Sequence, residues 1–206
     1  MKILSIKSGK KHLDHIILED GTELSLDKDI VEAKKLCPGF DITDPEDIQF
    51  ESDYARAKSR ALCYLSRSDH SEKALRDKLI AAGFGPVASA QAVNRMAELG
   101  LIDDERYARR LAEYLSASGS SKREIRYKLS MKGISSDIIK EISSEDETDE
   151  REKLARLIET KYKTKLNSEK DVEKVFAALV RKGFSYSDIK SVLKNYSEQI
   201  EFSEEN

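Results

Sequence analysis

The chain has no tryptophan, two cysteines, three prolines and nine glycines in 206 residues. Each shortage excludes something. So few glycines and prolines cannot serve the many tight turns of an all-strand fold. Cys37 and Cys63 stand far apart with no partner at metal-ligand spacing, so they read as two ordinary reduced thiols. No apolar run approaches the ~18 residues a membrane span needs. The opening residues, Met1 to Lys7, lack the apolar core and small-residue cleavage site of a signal peptide, so a cytoplasmic location is expected. Histidine is scarce too. All three lie before residue 71, which leaves a Ser–His or Cys–His nucleophile little to draw on. There is no Gly-rich phosphate loop.

Charge, by contrast, is plentiful: 36 Lys and Arg against 39 Asp and Glu, a net of −3. The balance is uneven along the chain. Residues 1–50 carry −4, residues 51–140 carry +5 and residues 141–206 carry −4. A basic middle between acidic ends fits either a solvated surface or an approach to an acidic partner.

A period of 50 residues organises most of the chain. Leu75, Ile125 and Val175 correspond, as do Leu79, Leu129 and Leu179. Gly83, Gly133 and Gly183 follow in register, each before a bulky apolar residue: Phe84, Ile134 and Phe184. The first two copies also share Tyr64/Tyr114, Ser71/Ser121 and Lys78/Lys128. Each copy reads as three helices. The first helices are expected over 54–65, 104–115 and 148–162. The second begin near Ser71, Ser121 and Ser168. The third are expected over 86–99, 136–142 and 187–196. Ser121-Lys122-Arg123-Glu124 has the form of a capping box, in which Ser and Glu satisfy each other's free N–H groups. Leu75 and Leu79, four apart, share one helix face. The repeated Gly suits a left-handed helix end, with the next apolar residue folding back on the last turn.

A unit of this size buries little surface alone, so stacked neighbours must complete the core. The expected fold is mainly helical: three tandem three-helix repeats over 54–102, 103–142 and 151–196, forming an elongated curved rod. Residues 1–53 are expected to add a small β-hairpin and a short helix over 27–36. Asp20-Gly21, between two alternating runs, is the hairpin's turn signal. Residues 143–150 read as an acidic linker without an apolar side chain. Residues 197–206 read as an acidic tail.

With the repeat set out, the motifs carry a resemblance. Gly100-Leu101-Ile102-Asp103-Asp104-Glu105-Arg106-Tyr107-Ala108 resembles the most distinctive motif of the RecX family, bacterial regulators of RecA recombinase. The run from Ser71 to Leu79 with Gly83-Phe84 resembles the family's first-repeat signature. Lys132-Gly133-Ile134 and Arg181-Lys182-Gly183-Phe184-Ser185 resemble the matching points of the later repeats. Two positions depart from the pattern: Ala74, where Glu is usual, and Ser121, where Gly is frequent. The resemblance implies a protein that binds the RecA–DNA filament and damps recombination, has no chemistry of its own and needs no cofactor. In it, Asp103, Asp104, Tyr107, Gly83, Gly133 and Gly183 are structural. A monomer is expected, with DNA contact through the basic middle repeat as an open possibility.

The candidate partner-binding residues are basic: Arg76, Lys78, Arg109, Arg110, Lys122, Arg123, Arg126, Lys128, Lys132, Arg181 and Lys182. Composition alone divides evenly between a solvated face and a binding surface. Tyr114, matched by period to Tyr64, is expected in the core, and Tyr127, without a match, on the surface. Asp103-Asp104-Glu105 could suggest a metal-assisted nuclease. A helix start explains it more simply, since acidic residues complement the dipole there. His12 and His15 are three apart in an expected turn and strand, and the further ligands that metal binding would need are not evident. Three readings follow: a recombinase-filament regulator, a direct nucleic-acid binder built from helix-turn-helix-like units, and an enzyme, which has least behind it.

Overall fold

The computed structural model describes residues 1–145, 149–166 and 168–194. The chain divides into two compact units, Met1–Asp103 and Asp104–Asn206. The expected tail 197–206 and residues 146–148 of the expected linker lie outside the described residues.

The first unit opens with three strands, β1 (Ile3–Ser8), β2 (Leu13–Leu18) and β3 (Glu23–Asp27), in an antiparallel sheet of that order. The expected hairpin is β2–β3, and β1 adds a third strand to it. Ile3 and Ile6 are three apart, which does not fit the two-residue period of a strand. A register shift between Ile3 and Ser5 re-phases the strand, so that Ile3 is buried and Ile6 packs against the same core. Ile16, Leu18, Leu24 and Leu26 fill one face by strict alternation. The turn forms at Asp20-Gly21, where Gly21 has φ +87° and the Asp20 carboxylate accepts from Thr22 N–H.

Helix α1 (Lys28–Ala33) follows, then α2 (Pro45–Leu65). The latter begins well before the expected 54. Asp44 caps it and Pro45 occupies its first turn. Its N-terminal half serves the sheet. Gln49 accepts from Ser25 N–H and donates to Ser25 O, and the buried Ser52 hydroxyl accepts from Asp27 N–H at 2.7 Å. These bonds satisfy the outer edge of β3. The C-terminal half buries Ala57 and Ala61 against α3 (Glu72–Ala81) and α4 (Pro86–Glu98), whose Leu75, Leu79, Ala92, Val93 and Met96 complete the first repeat's core. One helix thus serves both the N-terminal extension and the first repeat.

The second unit holds α5 (Asp104–Ala117), α6 (Lys122–Met131), α7 (Ser136–Glu145), α8 (Glu150–Leu157) and α9 (Glu169–Arg181), with helical residues 186–194 beyond. Two clusters form its cores. Ala108, Leu115, Ile125 and Leu129 lie in one, and Leu154, Ile158, Val175, Leu179, Phe184 and Ile189 in the other. The expected linker is shorter than supposed: Ser143–Glu145 extend α7, and Asp149 caps α8 by accepting from Arg151 N–H. Helix α8 runs on into a wide π turn, Ile158–Tyr162.

The repeating glycines end α3, α6 and α9 at φ +94°, +80° and +85°. The next residue donates back to the last turn in each case: Phe84 to Leu79 O, Ile134 to Leu129 O and Phe184 to Leu179 O, at 3.2 to 3.3 Å. This is the bond pattern of a Schellman cap, which a left-handed residue makes cheap for Gly alone.

Candidate partner-binding surface

The eleven basic candidates have very different environments. In the first unit, Arg76 on α3 is half-buried with its Nε unbonded, and Lys78 lies 5.2 Å from the Tyr64 ring centre. In the second unit, Arg109 bonds Glu105 at 3.1 Å and Glu141 at 2.7 Å, tying α5 to α7. Lys128 pairs with Glu124 at 3.2 Å. Lys122 opens α6, and its N–H donates to Glu150. Arg110 and Lys132 are exposed. Lys182 turns inward, donating to Ser118 O at 2.8 Å. Burial, and then the nearby Lys161 and Lys128, hold its ammonium below the usual lysine range.

Arg123, Arg126 and Arg181 are exposed, and among the described residues none of them forms an ion pair. The first two stand on one helix. Ile125 and Leu129 point α6 inward, which fixes its outer face as Arg123, Arg126, Tyr127, Ser130 and Met131. Tyr127 and Met131 are each 60% exposed. Two uncommitted guanidiniums beside an aromatic ring and a thioether make a surface that can meet both charge and flat apolar groups.

Tyr114 corrects the expectation of a core residue: it is 70% exposed. Its counterpart Tyr64 is sheltered by an edge contact with His70 and by the charges of Arg60 and Lys78 above its ring. One period later His70 becomes Ser120, too short to reach, and Lys128 is turned to Glu124. Helix α5 buries Ala108, Ala112 and Leu115 instead, a phase that leaves Tyr114 outside. The spacing of those three residues was the signal that could have placed it.

The acidic cluster is a helix start. Asp104 and Glu105 lie in the first turn of α5, and Glu105 is engaged by Arg109. His12 finds carboxylates that sequence spacing concealed: its Nε2 lies 3.0 Å from Asp29 and 3.9 Å from Asp27. The three ligand atoms lie close enough to hold one ion, but His12 and Asp29 are exposed, His12 in the turn between β1 and β2 and Asp29 in the first turn of the short α1, and exposed acidic groups commonly gather without an ion. His15 bonds Ser25 instead. No helix among the described residues is long and apolar enough to cross a membrane.

Residues 57–96, 103–141 and 148–193 match the first, second and third three-helix domains of RecX. Regulatory protein RecX of Streptococcus sanguinis (strain SK36) is 32% identical over 210 residues, spanning 100% of this chain and 80% of its own length. The chain belongs to the RecX family. Regulatory protein RecX of Clostridium perfringens (strain SM101) is 28% identical over 203 residues, spanning 94% of this chain and 95% of its own length. A crystal structure of regulatory protein RecX shares the fold, with a TM-score of 0.58 over 94% of this chain and 98% of that one at 23% identity. RecX from Lactobacillus salivarius gives 0.51 over 70% and 97% at 26% identity. These RecX relatives are named as regulatory proteins.

Proposed function

We propose that the chain is a non-catalytic regulator of the bacterial cytoplasm that binds, as a monomer, the RecA–DNA filament and restrains strand exchange. The reading rests on family membership and on one feature of the surface, the outer face of α6. Arg123 and Arg126 stand there exposed and without ion pairs among the described residues, flanked by Tyr127 and Met131. A guanidinium already committed, such as that of Arg109, must break two bonds before it can serve a partner. A free one need not, so these two arginines carry the interaction. Aromatic residues, Met and Arg are also the types enriched at protein interfaces.

A second reading, direct binding to DNA, draws on the same arginines beside Tyr127, since base stacking and phosphate contact need those groups. Co-sedimentation separates the two. The chain should pellet with RecA–DNA filaments and much less with DNA alone, and retention should survive moderate salt. Retention on bare DNA, falling steeply between low and moderate salt, would favour the second reading.

A further inference from the structure

Within the second unit, α5 ends at Ala117 and the chain turns through Ser118, Gly119 and Ser120. Three ammonium groups converge on that end. Lys182 Nζ donates to Ser118 O at 2.8 Å, and Lys161 Nζ reaches the same oxygen at 3.4 Å. Lys153 Nζ donates to Ser116 Oγ at 2.9 Å. Two of these groups share one carbonyl and so stand no more than about 6 Å apart. Among the described residues none of the three has a carboxylate in ion-pair range. The carboxylate that acts on Lys182, Glu124, is already taken by Lys128.

Helix capping explains only part of this. A helix C-terminus carries roughly half a negative charge, and one ammonium satisfies it. Three leave a large positive surplus in a place where Lys182 is already partly withdrawn from water. Two of the three, Lys153 and Lys161, line a cleft of about 320 Å³ between α5 and the α8 segment, together with Arg156, Thr160 and Ser116, while Lys182 reaches the shared carbonyl from outside that lining. Arg156 adds a further cation, paired outward with Glu152. The π turn of α8 contributes Thr160 and Lys161, and such widened turns recur at functional sites. Gly119 keeps the cleft's floor tight: a Cβ there would lie 2.6 Å from Leu157 Cδ1.

We infer that this cleft between the second and third helical repeats is a phosphate site, occupied by a free phosphate group or by backbone phosphates of a nucleic-acid strand. A phosphate offers several acceptor oxygens and up to two charges to donors arriving from different directions. A single carboxylate would leave most of the surplus unmatched. None of these groups is on the outer face of α6, so the inference stands apart from the filament-binding reading.

The test uses the full chain without RecA. Inorganic phosphate at low millimolar concentration, with ionic strength balanced by chloride, should raise the melting temperature. The half-effective concentration should rise about tenfold in Lys161→Gln and in Lys153→Gln. Without phosphate, Lys161→Gln should melt at the parent's temperature or above it, because repulsion is relieved. A labelled oligothymidylate, followed by anisotropy, identifies the source. Weakening of its binding by the same substitutions, with inorganic phosphate inert, assigns the cleft to strand phosphates. If neither phosphate nor the oligonucleotide responds to either substitution, the lysines only cap α5 and the inference fails, whatever the variants' melting temperatures.

Discussion

The N–H of Ser121 donates to the carbonyl of Lys182 at 2.9 Å, joining the start of α6 to the end of α9. That bond alters the capping box expected from Ser121-Lys122-Arg123-Glu124. Half of the box forms, with Ser121 Oγ accepting from Glu124 N–H at 3.2 Å. The other half is replaced: Ser121 N–H already has its acceptor, and the Glu124 carboxylate turns to Lys128. The second repeat is thereby capped partly by the third.

The same junction gives Gly183 two duties. It ends α9 at φ +85°, and a Cβ there would meet Ser121 Oγ at 2.5 Å and Glu124 Cβ at 2.8 Å. Gly83 ends α3 at φ +94° with nothing within 4 Å of its would-be Cβ. Gly83→Ala should therefore cost about 1–2 kcal/mol, the left-handed penalty alone. Gly183→Ala should cost clearly more. Urea midpoints of the two variants check this, and equal losses would contradict the packing described at the junction.

Tyr64 and Tyr114 should part in the same way. Tyr64→Ala removes a half-buried ring packed on the first repeat's core and held by His70 and Lys78, and should destabilise by about 1–3 kcal/mol. Tyr114→Ala removes a ring that is 70% exposed and should stay within about 0.5 kcal/mol of the parent. A large loss at Tyr114 would restore the core position that the 50-residue period suggested.

That pair also shows how far the sequence could be read. The repeat, its helix-ending glycines and the inward Leu75, Ile125, Leu79 and Leu129 were all legible, because each depends on local spacing and backbone geometry. Three things were not. The register shift in β1 hid a strand behind a three-residue spacing. Pro45 marked the start of α2, yet the shared helix could be seen only once Gln49 and Ser52 were found bonding β3. Among the basic candidates, composition treated Arg109, Lys182 and Arg123 alike, although one is doubly paired, one faces inward and one forms no ion pair among the described residues. Such differences arise from contacts across 32 or 64 residues, as between Arg109 and Glu141 or Lys182 and Ser118, which spacing does not encode.

His12 should titrate above its ordinary value of 6.5. The hydrogen bond that its Nε2–H donates to Asp29 is the largest cause, partial desolvation opposes it, and the charges of Asp29 and Asp27 add to it. A folded-state value above the unfolded one contributes stability that is fully present below the unfolded value and is lost as pH rises through the folded one. The imidazole is open to solvent, so the effect on global stability is small and is screened by salt. NMR titration should show the raised midpoint, and Asp29→Asn should bring it down. A midpoint at or below 6.5 in the parent would contradict the described turn.

Inhibition of strand exchange by the cognate RecA tests the central claim most directly. The parent chain, titrated at fixed salt, should suppress exchange without consuming any substrate. The double substitution Arg123→Glu and Arg126→Glu should leave circular dichroism and melting temperature close to the parent's, since both side chains are exposed and unpaired among the described residues. It should weaken suppression by about tenfold or more, most strongly at low salt, because opposed charge slows the encounter. Full recombinase activity in the presence of excess parent chain, with no chain pelleting with filaments, would contradict the account.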